Sequence, residues 1–261
     1  MELENERGNE REDAVDVGSK RVHEQTDRRH VRRQGARQLR GTRRLAVNQR
    51  TRIKICGVSR EADIAAAVEA GADAVGLVFH RASARFVSAE RAAQLARALP
   101  PYVTPVGLFV NAPRADIDNV LALIPALVLQ FHGDETPDAC NAFGRPYLRA
   151  ARMAAGFDLL DFSRRYSEAQ GLLLDAHVEG FGGGGKAFDW SLVPAGVPHP
   201  LVLSGGLRAE NVVAGIQQLR PWAVDVSSGV ESSRGVKDAA AIRRFCDAVR
   251  EADARIAAST A

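Results

Sequence analysis

Three side chains able to exchange protons stand where short apolar runs end: Cys56 after Arg52–Ile55, His132 after Leu127–Phe131, and Asp175 after Leu172–Leu174. Lys54 lies two residues before Cys56, and a nearby cation favours a reactive thiolate. The plainer reading of such a thiol is a small buried core residue. A carboxyl group closing an apolar strand is desolvated and can hold a proton near neutral pH, as a general acid must; a helix cap or ion-pair partner is the other reading of Asp175. His132 fits either a ligand shell or a packed imidazole, and Arg85 either an anion site or a solvated loop. Gly205–Gly206 lets backbone approach a ligand with no side chain between. Ser227–Ser228–Gly229 adds hydroxyls and amides before a short helical turn at Val230–Glu231. Two such stations close together fit a phosphate site.

These residues need a frame that brings chain-distant positions together. Strand-like runs occur at Arg52–Cys56, Ala74–Phe79, Val103–Val110, Leu127–Phe131, Tyr147–Met153, Gly171–Ala176, Leu201–Ser204 and Ala223–Val226. Helical patterns fall between them. Ile64, Ala65 and Val68 recur at helical spacing before Gly71, Ser88 caps a run to about Leu99, and Pro113 opens a helix carrying Ile117, Val120, Leu121 and Ile124. Thr136–Pro137 reads as a cap and first helical residue, and Asp158–Tyr166, Glu210–Leu219 and Asp238–Glu251 as helices, with at best a short one at Asp189–Val193. Short strands, nearly continuous in apolar residues, are those of a parallel sheet buried on both faces. Eight strand–helix alternations predict an α/β fold, an eight-stranded parallel (β/α)8 TIM barrel. An open doubly wound sheet is the alternative, but no Gly-x-Gly-x-x-Gly follows the first strand. In a barrel the chemistry sits at the carboxyl ends of the strands, where Cys56, Asn111, His132, Asp175, Ser204 and Asp225 all fall.

Composition sets the outer limits. The chain has 261 residues, 46% hydrophobic and 26% charged, an ordinary globular mix. No apolar run approaches the roughly 18 residues of a membrane span. Cys56, Cys140 and Cys246 are few, odd in number and widely spaced, which argues against a disulfide framework and for a reducing, cytoplasmic setting. Charge is uneven: residues 1–50 hold 13 Arg or Lys against 9 Asp or Glu, and residues 28–50 hold nine arginines and no acid. That stretch has no aromatic residue, no proline and no apolar periodicity, so it is expected to be a disordered Arg-rich extension, 1–50, before a barrel domain at 51–255 and a tail at 256–261. A translation start near Leu45 or Val47 is an alternative origin for it. An Arg-rich arm could bind nucleic acid electrostatically, but without aromatic residues it lacks a stacking platform.

The motifs, in order, are Lys54–Gly57 (KICG), Gly76–Phe79 (GLVF), Ser83–Arg85, Gln130–Gly133 (QFHG), Leu174–Asp175, Gly182–Lys186 with Phe188–Trp190, Ser204–Leu207 (SGGL), Asp225–Glu231 (DVSSGVE) and Gly235–Asp238 (GVKD). As a set, from about Arg52 to Asp253, they closely resemble the phosphoribosylanthranilate isomerases of tryptophan biosynthesis. The resemblance implies an Amadori rearrangement of N-(5-phosphoribosyl)anthranilate to 1-(2-carboxyphenylamino)-1-deoxyribulose 5-phosphate, with Cys56 as general base and Asp175 as general acid. It implies that Arg85 grips the anthranilate carboxylate, and that phosphate sits on Gly205, Gly206, Ser228 and Gly229. Lys54, Gln130, His132 and Asp225 would line the substrate, Asp225 at a sugar hydroxyl. The loop with Gly182, Gly183 and Gly185 would close over it. The imine that activates the substrate is internal to it, so neither cofactor nor metal is required. The expected partner is a small phosphorylated molecule, not a membrane, and the expected state a monomer.

Three positions depart from the usual pattern. Ala84 replaces a proline, Phe131 a leucine, and Gly184 a Thr or Ser; the Arg-rich extension has no counterpart. The related isomerase of histidine biosynthesis pairs two aspartates, and Cys56 argues against it. Indole-3-glycerol phosphate synthase pairs a lysine with a glutamate, and these motifs do not fit it. A non-catalytic barrel binding nucleic acid through residues 28–50 would show salt-dependent binding lost on deleting residues 1–50.

Overall fold

The computed structural model describes residues 50–176 and 187–260. The extension and the predicted loop glycines Gly182, Gly183 and Gly185 lie outside the described residues. Eight strands run parallel and close on themselves: β1 (Arg52–Cys56), β2 (Ala74–Val78), β3 (Thr104–Phe109), β4 (Val128–Phe131), β5 (Tyr147–Met153), β6 (Gly171–Ala176), β7 (Leu201–Leu203) and β8 (Ala223–Val226). Closure is made by β1 against β8, where Lys54 pairs in register with Asp225. This is the barrel expected from the strand–helix rhythm.

Seven α-helices are described: α1 (Glu61–Glu69), α2 (Ala89–Arg97), α3 (Arg114–Leu123), α4 (Pro137–Asn141), α5 (Leu159–Arg165), α6 (Ala209–Leu219) and α7 (Ala239–Thr260). Their starts follow the local chemistry. Ser88 Oγ accepts from the Arg91 N–H, Thr136 Oγ1 from Ala139 and Asp158 Oδ1 from Asp161, each meeting an otherwise orphan helix donor. The described residues between β6 and β7 form only a 3-10 turn, Trp190–Leu192, so the alternation there is looser than eight full helices. The predicted tail is also corrected, because α7 continues to Thr260. No helix among the described residues is long and apolar enough to cross a membrane.

Alternation along each strand divides the barrel into two cores. Ile53 and Ile55 of β1, Val224 and Val226 of β8, and Leu172 and Leu174 of β6 face the helices and join the large apolar cluster. The barrel interior holds a small plug of Ala150, Leu173, Val202 and Ala223, with Leu148 packed against it. Two places beyond Leu173 and Ala223 stand Asp175 of β6 and Asp225 of β8, joined by Lys54 and Cys56 of β1 and Gln130 of β4, all buried. The apolar plug closes the interior below, so the functional groups gather at one mouth.

After β8 the chain makes a 3-10 turn at Ser228–Val230 and then a small hairpin, β9 (Glu231–Ser233) with β10 (Val236–Lys237), paired antiparallel. The sequence pattern gave no expectation of this hairpin. It is too short for periodicity to register, yet it carries two charged residues into the mouth.

Candidate active site

Cys56 and Lys54 share the inward face of β1, with Gly76 of β2 alongside. A Cβ on Gly76 would come within 2.7 Å of Cys56 Sγ and 3.0 Å of Lys54 Nζ, so only glycine leaves room for both. Lys54 Nζ donates to Asp225 Oδ1 at 2.9 Å in a buried pair. Lys54, expected beside the thiol as a cation that favours its ionised form, does pull the thiol down, and it is paired with Asp225 as well. Burial pushes the Cys56 thiol above its ordinary value, while Lys54 and Lys237 pull it back down. Burial also raises the Asp225 carboxyl, against the pull of Lys54. The Lys54 ammonium is raised: burial opposes its charge, but Asp225 and Cys56 outweigh it.

Across the mouth, Gln130, His132 and Asp175 form one chain. Gln130 Nε2 lies 3.2 Å from His132 Nδ1, and His132 Nε2 lies 2.9 Å from Asp175 Oδ2. Asp175 Oδ1 accepts its own strand's Ala176 N–H at 2.9 Å. Gln130 Oε1 is buried without a partner. Gln130 and His132, expected to line the substrate, are thus first of all the supports of Asp175. The turn carrying His132 is itself clamped: Arg149 of β5, buried, donates to the carbonyls of Phe131 and Gly133 at 2.9 Å each.

Arg85 reaches the mouth from the loop after β2, its stem passing over Gly57, where a Cβ would meet Arg85 Cδ at 2.4 Å. Gly57 also has φ of +77°, which favours glycine independently. Arg85 Nε and Nη2 donate to the two oxygens of Glu231 at 2.6 and 2.8 Å. Lys237 Nζ donates to Glu231 Oε1 at 2.7 Å and to the Ser227 carbonyl at 3.0 Å, while Ser227 Oγ donates to the Cys56 carbonyl at 3.0 Å. The sequence reading quoted Glu231 and Lys237 within motifs but assigned them no role. Their signal was only the spacing of charges after Ser227–Gly229.

At the ends of β7 and β8 lies a pocket of about 310 Å³ lined by Gly206, Leu207, Arg208, Glu210, Ser228 and Gly229. Three of the four predicted phosphate positions line it, and Arg208 and Glu210 join them. Gly205 plays a different part. With φ of +79°, it packs against the end of β6, where a Cβ would meet the Ala176 N at 2.5 Å and Asp175 Oδ1 at 2.8 Å. Its bareness makes room for the acid. At Gly229 a Cβ would lie only 1.9 Å from the Leu207 carbonyl oxygen, so the two pocket walls touch backbone to backbone.

A closed parallel barrel with a thiol, a carboxyl group and an anion-sized pocket at one mouth defines an enzyme of the α/β-barrel class. Residues 53–248 match the family model described as N-(5'-phosphoribosyl)anthranilate (PRA) isomerase. The chain is 70% identical over 210 residues to N-(5'-phosphoribosyl)anthranilate isomerase of Methylibium petroleiphilum, covering 80% of this chain and 99% of that protein. It is 55% identical over 207 residues to the isomerase of Dechloromonas aromatica, covering 79% of this chain and all of that protein. Among solved structures, phosphoribosyl anthranilate isomerase from Thermotoga maritima superposes with a TM-score of 0.71 at 40% identity, over 77% of this chain and 99% of that one. Another, at TM-score 0.67 and 38% identity over the same shares, holds reduced 1-(o-carboxyphenylamino)-1-deoxyribulose 5-phosphate. The chain belongs to the N-(5'-phosphoribosyl)anthranilate isomerase family and is an isomerase.

Proposed function

We propose that this chain carries out the family's aldose–ketose isomerisation, a step of L-tryptophan biosynthesis, with Cys56 as general base and Asp175 as general acid. The observation that carries the assignment is their placement. Cys56 on β1 and Asp175 on β6 stand apart at one barrel mouth, buried, with an anion pocket beside them at β7 and β8. A substrate lying across the mouth with its phosphate in that pocket offers its ribose to both groups.

The steps follow from what each atom can exchange. Asp175 gives its proton to the ribose ring oxygen as the C1–O bond breaks. The anthranilate nitrogen supplies the electron pair for a C1=N bond, leaving a protonated imine. That cation acidifies C2–H, and the Cys56 thiolate takes the proton, forming an enolamine. The thiol then returns a proton to C1 as the C2 hydroxyl becomes the ketone, and the proton that hydroxyl gives up restores the Asp175 acid, so atoms and protons balance over the cycle. For Asp175 to start as the acid, its proton needs an acceptor that leaves it available. With Gln130 Oε1 turned toward His132 Nδ1–H, His132 Nε2 presents a lone pair to Asp175 O–H across the same 2.9 Å.

Phosphate is taken by Gly206, Ser228 and Gly229, with Arg208 alongside. Arg85 Nη1, the guanidinium nitrogen left over by Glu231, faces the anthranilate carboxylate, and Asp225, paired to Lys54, accepts from a sugar hydroxyl. The same reading takes the chain as a cytoplasmic monomer with a small phosphorylated substrate. Free thiols at Cys56, Cys140 and Cys246 accord with a reducing compartment. The test follows anthranilate fluorescence as purified chain acts on substrate generated in situ from anthranilate and phosphoribosyl pyrophosphate. Rapid loss with wild type and none with Cys56→Ala or Asp175→Asn supports both roles. Equal loss with Cys56→Ala removes the thiol from the mechanism.

A further inference from the structure

The charges gathered round Cys56 do not cancel. Lys54 and Asp225 come from β1 and β8, Arg85 from the loop after β2, and Glu231 and Lys237 from the hairpin after β8. His132 and Asp175 face Asp225 from β4 and β6. Outside the His132–Asp175 pair, three cations meet two carboxylates. Glu231 is shared: Arg85 holds both its oxygens and Lys237 holds one of them as well. One positive charge is left over, and the Lys237 side chain is only 1% exposed, so solvent does not offset it. Buried charges are normally paired.

We propose that Lys237 is a positioning residue for catalysis, whose ammonium both fixes the Cys56 strand end through Ser227 and supplies the positive charge that a thiolate at Cys56 neutralises. The link is continuous: Lys237 Nζ donates to the Ser227 carbonyl at 3.0 Å and lies 3.3 Å from Ser227 Oγ, and that hydroxyl donates to the Cys56 carbonyl. The thiol also feels Lys237 directly as a stabilising charge on its ionised form. Lys54 also lowers the thiol, but Asp225, its partner, acts on the thiol in the opposite sense, and Lys237 adds to what remains. The inference rests on the reading of Cys56 as base. It adds the source of that base's charge balance.

The test measures alkylation of Cys56 by iodoacetamide against pH in the full chain, with the modified cysteine identified by mass spectrometry. Cys140 and Cys246, fully buried and pushed up to about 12 and about 11, provide slow internal references. Lys237→Met should move the ascending limb of the Cys56 profile alkaline by about one pH unit, slowing alkylation about tenfold near neutrality. kcat should fall in parallel at neutral pH and recover in alkali, with KM little changed, and Lys237→Arg should restore both. Glu231→Gln should shift the limb the opposite way, toward acid, because it removes a compensating carboxylate. A limb unmoved in Lys237→Met, or a loss confined to KM, overturns the proposal. Should Lys237→Met fail to fold, an unmoved or alkaline-shifted limb in Glu231→Gln overturns it equally. Turnover by Cys56→Ala would refute the base assignment separately, since alkylation reads the Lys237–thiol coupling without turnover.

Discussion

Replacing Asp225 with Asn tests the buried pair that anchors the closing seam of the barrel. Lys54 Nζ and Asp225 Oδ1 stand 2.9 Å apart, their side chains only 5% and 6% exposed. At an effective dielectric of about 20, two unit charges at that distance attract by roughly 6 kcal/mol. Asn keeps an oxygen for Lys54 and avoids the cost of burying a carboxylate, which returns part of that energy. The net loss should be about 3 kcal/mol, at the low end for breaking a buried pair from one side. In a barrel of this size each kcal/mol moves Tm by roughly 2–4 °C, so Asp225→Asn should melt about 6–12 °C lower. The double variant Lys54→Met/Asp225→Leu removes the stranded ammonium and should recover most of that loss. Differential scanning calorimetry of wild type, single and double variants reads all three. A shift under about 2 °C in Asp225→Asn, or a double variant no more stable than the single, would show that the Lys54–Asp225 pair does not anchor the seam.

Gly229→Ala introduces a Cβ that would sit 1.9 Å from the Leu207 oxygen. The pocket walls must part by about 1 Å, and steady-state kinetics should show kcat/KM falling up to about 100-fold, mostly through KM, with the fold retained by circular dichroism. The pH profile follows from the raised Cys56 thiol. The reactive form is the thiolate, whose fraction grows with pH. The ascending limb of kcat/KM should therefore lie above the ordinary thiol value of about 8.5, and a limb centred near the carboxylate range would assign it to another group.

The barrel was legible because its signals are local and repeated. Arg52–Cys56, Gly171–Ala176 and Ala223–Val226 each declare a strand by apolar continuity, and Ser88 and Thr136 declare helix starts by their hydroxyls. The chemical residues were legible because barrel topology turns strand ends into a single mouth. What sequence could not convey was who holds whom. Lys54 was legible as a partner for Cys56, but the β1–β8 register also sets Asp225 beside it, and register is not written in either strand alone. Arg85 looked free because Glu231 is 146 residues away in the chain. Gly205 and Gly206 read alike in the sequence, but only Gly206 lines the pocket, whereas the φ of Gly205 and its proximity to Asp175 give it a packing role. Lys237 went unassigned because a two-residue strand carries no periodicity.

One substrate is expected to span the mouth with Cys56 at C2 and Asp175 at the ring oxygen. A crystal structure of this chain with reduced 1-(o-carboxyphenylamino)-1-deoxyribulose 5-phosphate tests it directly. It should show phosphate against Gly206, Ser228 and Gly229, and the carboxylate at Arg85 Nη1. Cys56 Sγ should lie within about 3.5 Å of C2, with Asp175 in hydrogen-bond reach of the C4 hydroxyl that derives from the ring oxygen. A ligand bound end for end, or one that leaves the Cys56 sulfur remote from C2, would contradict the account.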